Sequence, residues 1–197
     1  MIRFLVAFKR KCPWVWDRVE DLNGLLFRLR YRNMGRIAES VLDQVDVASC
    51  RFSLLEKAEI PALEALLAGQ PEGYFAWFAP HRFDRDTLER LFRNPAFLMM
   101  KVTAPDGSMT GYFFLRCFFI GRAFAGLMVD RDWQNRGIGT AIWAACADIC
   151  GKTGLRMQAT VSTENVASIA SCRKGTDCRT VQALEDHYLA VECKRKA

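Results

Sequence analysis

Residues 123–140 read AFAGLMVDRDWQNRGIGT, and this stretch decides the fold of the chain. The apolar run at residues 123–129 ends in a polar break, which is typical of a buried strand. The Ala-rich run that follows Gly139 favours a helix. The stretch therefore predicts a strand, a glycine-rich turn and a helix in direct succession.

The predicted turn has the chemistry of an anion site. The first amides of a helix have no partner within the helix, and the helix dipole adds about half a positive charge there. Gly137 and Gly139 let the backbone approach an anion closely, and Arg136 adds a formal charge. We therefore expect the turn to bind a phosphate or pyrophosphate group.

Two common nucleotide motifs do not fit this turn. A P-loop needs a Lys directly after its second Gly, whereas Thr140 follows Gly139. The dinucleotide fingerprint needs a third Gly where this chain has Ile142. Residues 134–139 instead match every fixed position of Gln/Arg-x-x-Gly-x-Gly/Ala, and so resemble motif A of the GCN5-related N-acetyltransferases, the GNAT superfamily.

The resemblance extends over about residues 50–193. The patterns predict a strand, two helices, three antiparallel strands, the turn with its helix, a further strand, a short helix and a final hairpin. This is the GNAT order, which implies an α/β fold with a mixed, mostly antiparallel central sheet flanked by helices. We expect an N-terminal helical extension over residues 1–47 and a GNAT-like acetyltransferase domain over residues 48–197.

The resemblance also implies a coenzyme A site, with acetyl-CoA as the co-substrate. The pyrophosphate would lie on the motif A turn, the pantetheine arm along the central strand, and Asn165 of motif B on the other side of the arm. The residues assigned to this site are Leu127, Met128, Val129, Gln134, Asn135, Arg136, Gly137, Ile138, Gly139, Thr140 and Asn165.

The chain departs from the family at motif B, where a catalytic residue is expected. Many relatives carry there a Tyr that protonates the departing thiolate, and seven residues after Asn165 this chain has Cys172. Cys172 is either the acid that protonates the thiolate or a packing residue without a catalytic role. Tyr188 on the last predicted strand is the substitute candidate for the acid. His81, in an aromatic segment where relatives form the acceptor pocket, is a candidate base or acceptor contact.

The composition bounds these expectations. The net charge of +6 suits an anionic ligand such as coenzyme A, although an anionic membrane surface is also compatible, and we expect no nucleic-acid partner. The eight cysteines are irregularly spaced and accompany only two histidines, so the sequence predicts no metal site and mostly buried free thiols. The apolar stretch at residues 1–8 is shorter than the hydrophobic core of a signal peptide, which favours a cytoplasmic protein.

The N-terminal extension contains an amphipathic pattern. A helix over residues 13–31 would share one apolar face, formed by Val15, Val19, Leu22, Leu26 and Leu29. This face would pack on the chain's own domain or in a homodimer, or it would make peripheral contact with a membrane surface.

Two functional hypotheses remain from the sequence. The first is an acetyl-CoA-dependent N-acetyltransferase that transfers the acetyl group directly to a primary amine of a small molecule, with an amino sugar as one candidate. The alternative is an acyl-CoA-binding module of the same fold with little catalysis, acting through partner or membrane docking.

Overall fold

The computed structural model describes residues 13–196, with side chains from residue 18 onward. Its helices are α1 (Pro13–Arg30), α2 (Met34–Leu42), α3 (Ile60–Ala68), α4 (Arg85–Arg93), α5 (Ile138–Thr153) and α6 (Val166–Gly175). Its strands are β1 (Arg51–Leu54), β2 (Phe97–Thr103), β3 (Met109–Phe118), β4 (Arg122–Val129), β5 (Arg156–Ser162), β6 (Asp177–Ala183) and β7 (Tyr188–Lys194). Every predicted element from residue 13 onward is therefore present.

The seven strands form one sheet in the order β1-β2-β3-β4-β5-β7-β6. Neighbours are antiparallel except β4 and β5, which are parallel. The mixed, mostly antiparallel sheet that the sequence predicts is thus confirmed.

Strand β3 shows how the sheet separates two cores. Phe113 and Leu115 are fully buried against α2 and α5 on one face, while Tyr112 and Phe114 are buried against α3 and α4 on the other. This alternation follows from the two-residue period of a strand. Because both faces are covered, the strand is apolar at nearly every position.

Strands β4 and β5 separate at the centre of the sheet. They pair only over residues 122–124 and 156–158, although the strands continue to Val129 and Ser162. Beyond this short ladder, the edge of β4 is open toward the turn that precedes α5. The fold thereby creates a gap between two central strands.

Helix α1 packs on the domain with a different face from the one that its periodicity predicts. The Asn23 amide donates to the Cys117 carbonyl at 3.0 Å and accepts from the Phe119 amide at 3.1 Å, so it bonds to the end of β3. Phe27 is buried and stacks on Tyr31, with ring centroids 4.6 Å apart. Hydrogen bonds and one aromatic side chain therefore set the orientation of α1.

Most of the predicted apolar face of α1 consequently lies at the surface. The exposed fractions are 50% for Val19, 56% for Leu22 and 53% for Leu29, while Leu26 is half-buried. The expectation that this face packs on its own domain is wrong for the three exposed residues. Val15 precedes the described side chains.

No helix in the described part of the chain is long and apolar enough to cross a membrane. The apolar residues 1–8 lie outside the described range.

Candidate active site

The motif A turn has the backbone geometry of an anion cradle. Asn135 and Gly137 adopt left-handed conformations, with φ of 60° and 83°, and helix α5 begins at Ile138 directly after them. Alternating left- and right-handed residues turn successive amides toward one point, where the unpaired amides of the first helical turn add to them. The backbone conformation of the turn is therefore the one expected of the predicted anion site.

A cavity of about 750 Å³, here called the coenzyme cavity, opens in front of this turn. It extends along the open edge of β4 and reaches helix α6. All but one of the residues assigned from motif A, the central strand and motif B line it: Leu127, Met128, Val129, Gln134, Asn135, Gly137, Ile138, Gly139, Thr140 and Asn165. The fold thus brings together residues from three separate elements.

Arg136 is the exception. Its guanidinium lies over the Trp133 ring, 4.4 Å from the centroid, and donates to the Asp132 carbonyl at 3.1 Å. The cations that do line the coenzyme cavity are Arg131 and Lys174, neither of which the motif reveals.

The open end of β4 is held by polar contacts. The Tyr74 hydroxyl donates to the Val129 carbonyl, and the Gln134 amide donates to the Tyr74 hydroxyl at 3.0 Å. Gln134 therefore fixes the turn against the strand and against the loop that carries Tyr74. This gives the first residue of the motif a structural role besides any contact with a ligand.

Helix α6 closes the other side of the coenzyme cavity. Asn165 caps the helix, since its side chain accepts a hydrogen bond from the Ser168 amide at 3.0 Å. At the other end, Gly175 touches the first turn of α5, where an added Cβ would come within 2.4 Å of the Thr140 carbonyl oxygen. Only glycine fits there, so the two helices that border the cavity stay in close contact.

A second cavity of about 950 Å³, here called the acceptor cavity, adjoins the first. Trp77 and Phe78 line both cavities, and β4 contributes Gly126 to one and Leu127 to the other. The two cavities therefore meet where β4 leaves β5.

His81 lines the acceptor cavity with both ring nitrogens engaged. Nδ1 donates to the Arg82 carbonyl at 2.8 Å, which leaves Nε2 to accept from the Tyr112 hydroxyl at 3.2 Å. The rings of Phe83 and Phe114 lie 5.4 and 5.7 Å away. Burial lowers the pKa of His81, so its imidazole is neutral at neutral pH.

The two acid candidates fall in different places. Tyr188 lies at the start of β7, opposite Ser162 at the end of β5, and lines the acceptor cavity together with Gly126. Cys172 is buried, and its sulfur lies 3.5 Å from that of Cys193. Cys172 lines neither cavity, so its position gives no support to the acid role predicted for it.

The coenzyme cavity fits an acyl-CoA. The cradle at Gly137 and the charge of Lys174 suit a pyrophosphate, and the open edge of β4 suits an extended amide-containing arm. A coenzyme held in this way would supply a thioester whose acyl group can be transferred.

Comparisons with known proteins agree with this geometry. The sequence profile described as the Acetyltransferase (GNAT) family matches residues 62–175. The GNAT domain of S. lividans PAT superposes with a TM-score of 0.63 at 16% identity, covering 73% of this chain and 89% of that chain. RimJ from Mycobacterium smegmatis, solved with CoA-disulfide, gives 0.59 at 19% identity, covering 73% and 80%.

Spermidine N-acetyltransferase from Vibrio cholerae, in complex with CoA and spermine, gives a TM-score of 0.56 at 14% identity, covering 73% of this chain and 92% of that chain. Identities this low show a shared fold. A search of curated protein sequences finds no match.

A splayed sheet with an anion cradle at its central turn defines a coenzyme A-dependent acyltransferase. The family profile spans more than half of the residues, and the chain belongs to the acetyltransferase (GNAT) family. The protein is an N-acetyltransferase with acetyl-CoA as its co-substrate.

Proposed function

We propose that the protein transfers the acetyl group of acetyl-CoA directly to a primary amine of a small molecule bound in the acceptor cavity. The observation that carries this proposal is the junction of the two cavities beside Gly126 and Leu127. A thioester at the inner end of the coenzyme cavity would meet an amine there without an enzyme-bound intermediate. Structural neighbours whose names specify spermidine and ribosomal-protein alanine support an amine acceptor.

The residues at the junction supply what the reaction needs. As the amine nitrogen bonds to the acyl carbon, the carbon–sulfur bond breaks, the nitrogen loses a proton and the thiolate gains one. We assign the Tyr188 hydroxyl, which lines the acceptor cavity, as the group that donates a proton to the departing thiolate. The alternative is a binding module with little catalysis, motivated by the missing Tyr of α6, and rapid turnover of an amine would exclude it.

His81 is assigned a binding role in the acceptor cavity. Its Nε2 already accepts from Tyr112, so the imidazole holds that hydroxyl and a wall of aromatic rings in place. The proton of the amine passes to solvent through the open cavity, and His81 would act as a base only if the Tyr112 hydroxyl turned away.

The charges of the acceptor cavity define the class of amine. Arg82, Arg90 and Arg116 line it, and among the residues that the structure describes Glu20 is the one acidic lining residue. Arg116 pairs with Glu20 at 2.6 Å. Arg82 pairs with Asp84 at 3.1 Å. Since the lining arginines outnumber the lining carboxylate, the cavity disfavours a simple polyamine and favours an amine that also carries a phosphate or carboxylate, a class that includes amino-sugar phosphates.

Arg90 provides the first test of this substrate class. For Arg90→Gln we expect the KM for a hexosamine phosphate to rise by about tenfold, because a charge-assisted hydrogen bond contributes about 1.5–3 kcal/mol. The KM for the same hexosamine without its phosphate should stay unchanged. Steady-state thiol-release kinetics on both amines measure the difference.

The matched control is Arg93→Gln. Arg93 lies on the same helix, α4, and does not line the cavity. Equal KM values for the two amines in the unaltered protein, or equal effects of the two Arg variants, would contradict recognition of an anionic group.

The exposed face of α1 favours a second, compatible function in membrane docking. Val19, Leu22, Leu25 and Leu29 form a continuous exposed apolar row, with Arg28 on the exposed surface of the same helix. The sequence that precedes the helix adds Arg3, Lys9, Arg10 and Lys11 without an acidic residue. We propose that this face docks on an anionic membrane surface, where apolar burial and positive charge act together.

Vesicle co-sedimentation of the full chain tests this docking. The protein should bind vesicles that contain an anionic phospholipid, and the double variant Leu22→Glu/Leu29→Glu should bind about 100-fold more weakly, since each buried Leu is worth about 1.5–3 kcal/mol. The control is Val181→Glu, which changes an equally exposed apolar residue of β6. Failure of the unaltered protein to bind vesicles, or a dimer in solution that the double variant dissociates, would overturn the proposal.

A further inference from the structure

Three thiols from three successive elements of the chain converge behind the coenzyme cavity. Cys172 is in the last turn of α6, while Cys178 of β6 and Cys193 of β7 are directly paired across the hairpin. Their sulfur atoms all lie within 4.8 Å of one another, and those of Cys172 and Cys193 are 3.5 Å apart. The irregular spacing of the cysteines does not predict this cluster.

The separations suit a thiophilic cation. Sulfur atoms bound to zinc at about 2.3 Å in tetrahedral geometry are about 3.8 Å from each other. The three thiols therefore need only small side-chain movements to enclose an ion, leaving a fourth position for water. A set of three thiolates without a carboxylate selects a soft or borderline cation over Mg²⁺ or Ca²⁺.

The surroundings support access and charge balance. Cys172 and Cys193 are buried, whereas Cys178 is partly exposed and gives a route from solvent. Arg173 follows Cys172 in α6, and its positive charge offsets part of the negative charge of a three-thiolate site.

We propose that Cys172, Cys178 and Cys193 form a structural zinc site that fastens helix α6 to the C-terminal hairpin. The same helix presents Ser171 and Lys174 to the coenzyme cavity from its other side. Bound zinc therefore holds the wall of the coenzyme cavity in place. This site is separate from the transfer reaction and does not depend on the identity of the acceptor.

Metal titration of the reduced full-length protein tests the proposal. We expect one Zn²⁺ to bind with submicromolar affinity against a chromophoric competitor, and Cd²⁺ to give sulfur-to-metal charge-transfer absorption. The melting temperature should rise with zinc, as it does for any ligand of the native state. Cys178→Ser should weaken binding by more than the roughly 10–100-fold that outer-shell partners contribute.

Cys50→Ser is the matched control, because it removes a thiol that lies outside the cluster. Alkylation of a separate, denatured sample confirms that the cluster thiols are free, and circular dichroism confirms that each variant is folded. Absence of zinc binding by the reduced protein, or binding that Cys178→Ser leaves intact, would overturn the site.

Discussion

Replacing Tyr188 with Phe should lower kcat by about 100-fold or more, while the KM for acetyl-CoA stays nearly unchanged. A positioned acid contributes roughly 10²–10⁴-fold to a rate, and the substitution removes only the hydroxyl. Tyr188 lines the acceptor cavity and not the coenzyme cavity, which is why coenzyme binding should persist. Steady-state kinetics with saturating amine measure both constants.

Two variants serve as controls for this result. Tyr31→Phe removes the hydroxyl of a tyrosine that lines neither cavity, and its kcat should match that of the unaltered protein. Cys172→Ser should keep its kcat at saturating acetyl-CoA, because the buried thiol lies outside both cavities. Loss of this zinc ligand would act through the wall of the coenzyme cavity and so raise the KM for acetyl-CoA instead. Normal turnover by Tyr188→Phe together with an inactive, folded Cys172→Ser would return the acid role to Cys172.

The Gly137→Glu variant should bind acetyl-CoA about 100-fold more weakly in a calorimetric titration. A carboxylate about 5 Å from a phosphate charge costs about 3 kcal/mol at an effective dielectric constant of 20. The new side chain would project from the turn that borders the coenzyme cavity.

The control for this variant is Gly107→Glu. Gly107 has the same left-handed backbone, with φ of 87° against 83° for Gly137, but it lies in the turn between β2 and β3 with no atoms near an added Cβ. Both variants therefore carry similar backbone strain, and only Gly137→Glu changes the cradle. Equal loss of binding in the two variants would show that strain, rather than the anion site, is responsible.

The sequence predicts those parts of the candidate site that are formed by residues adjacent in the chain. The strand, turn and helix at residues 123–153 are contiguous, and their periodicity and glycines determine them without long-range information.

Arg116 was missed although a signal existed. It shares a strand face with Tyr112 and Phe114, so its charge in an otherwise apolar strand marks a polar cavity.

Other features depend on contacts that periodicity does not report. Helix α1 is oriented by Asn23, whose amide bonds to the backbone at the end of β3, and this contact outweighs the apolar face predicted from Val19 and Leu22. The thiol cluster depends on the pairing register of β6 and β7. Neither the register nor the packing of α6 against it can be read from the spacing of the cysteines.

The most direct test of the central claim is to follow the release of free CoA and the acetylated product together, with acetyl-CoA and a hexosamine phosphate as substrates. The proposed direct transfer predicts that both appear in equal amounts, that the product is acetylated on nitrogen, and that neither forms without the amine. Acetyl-CoA binding without turnover of any amine, or an acetylated protein that accumulates before the amine is added, would contradict it.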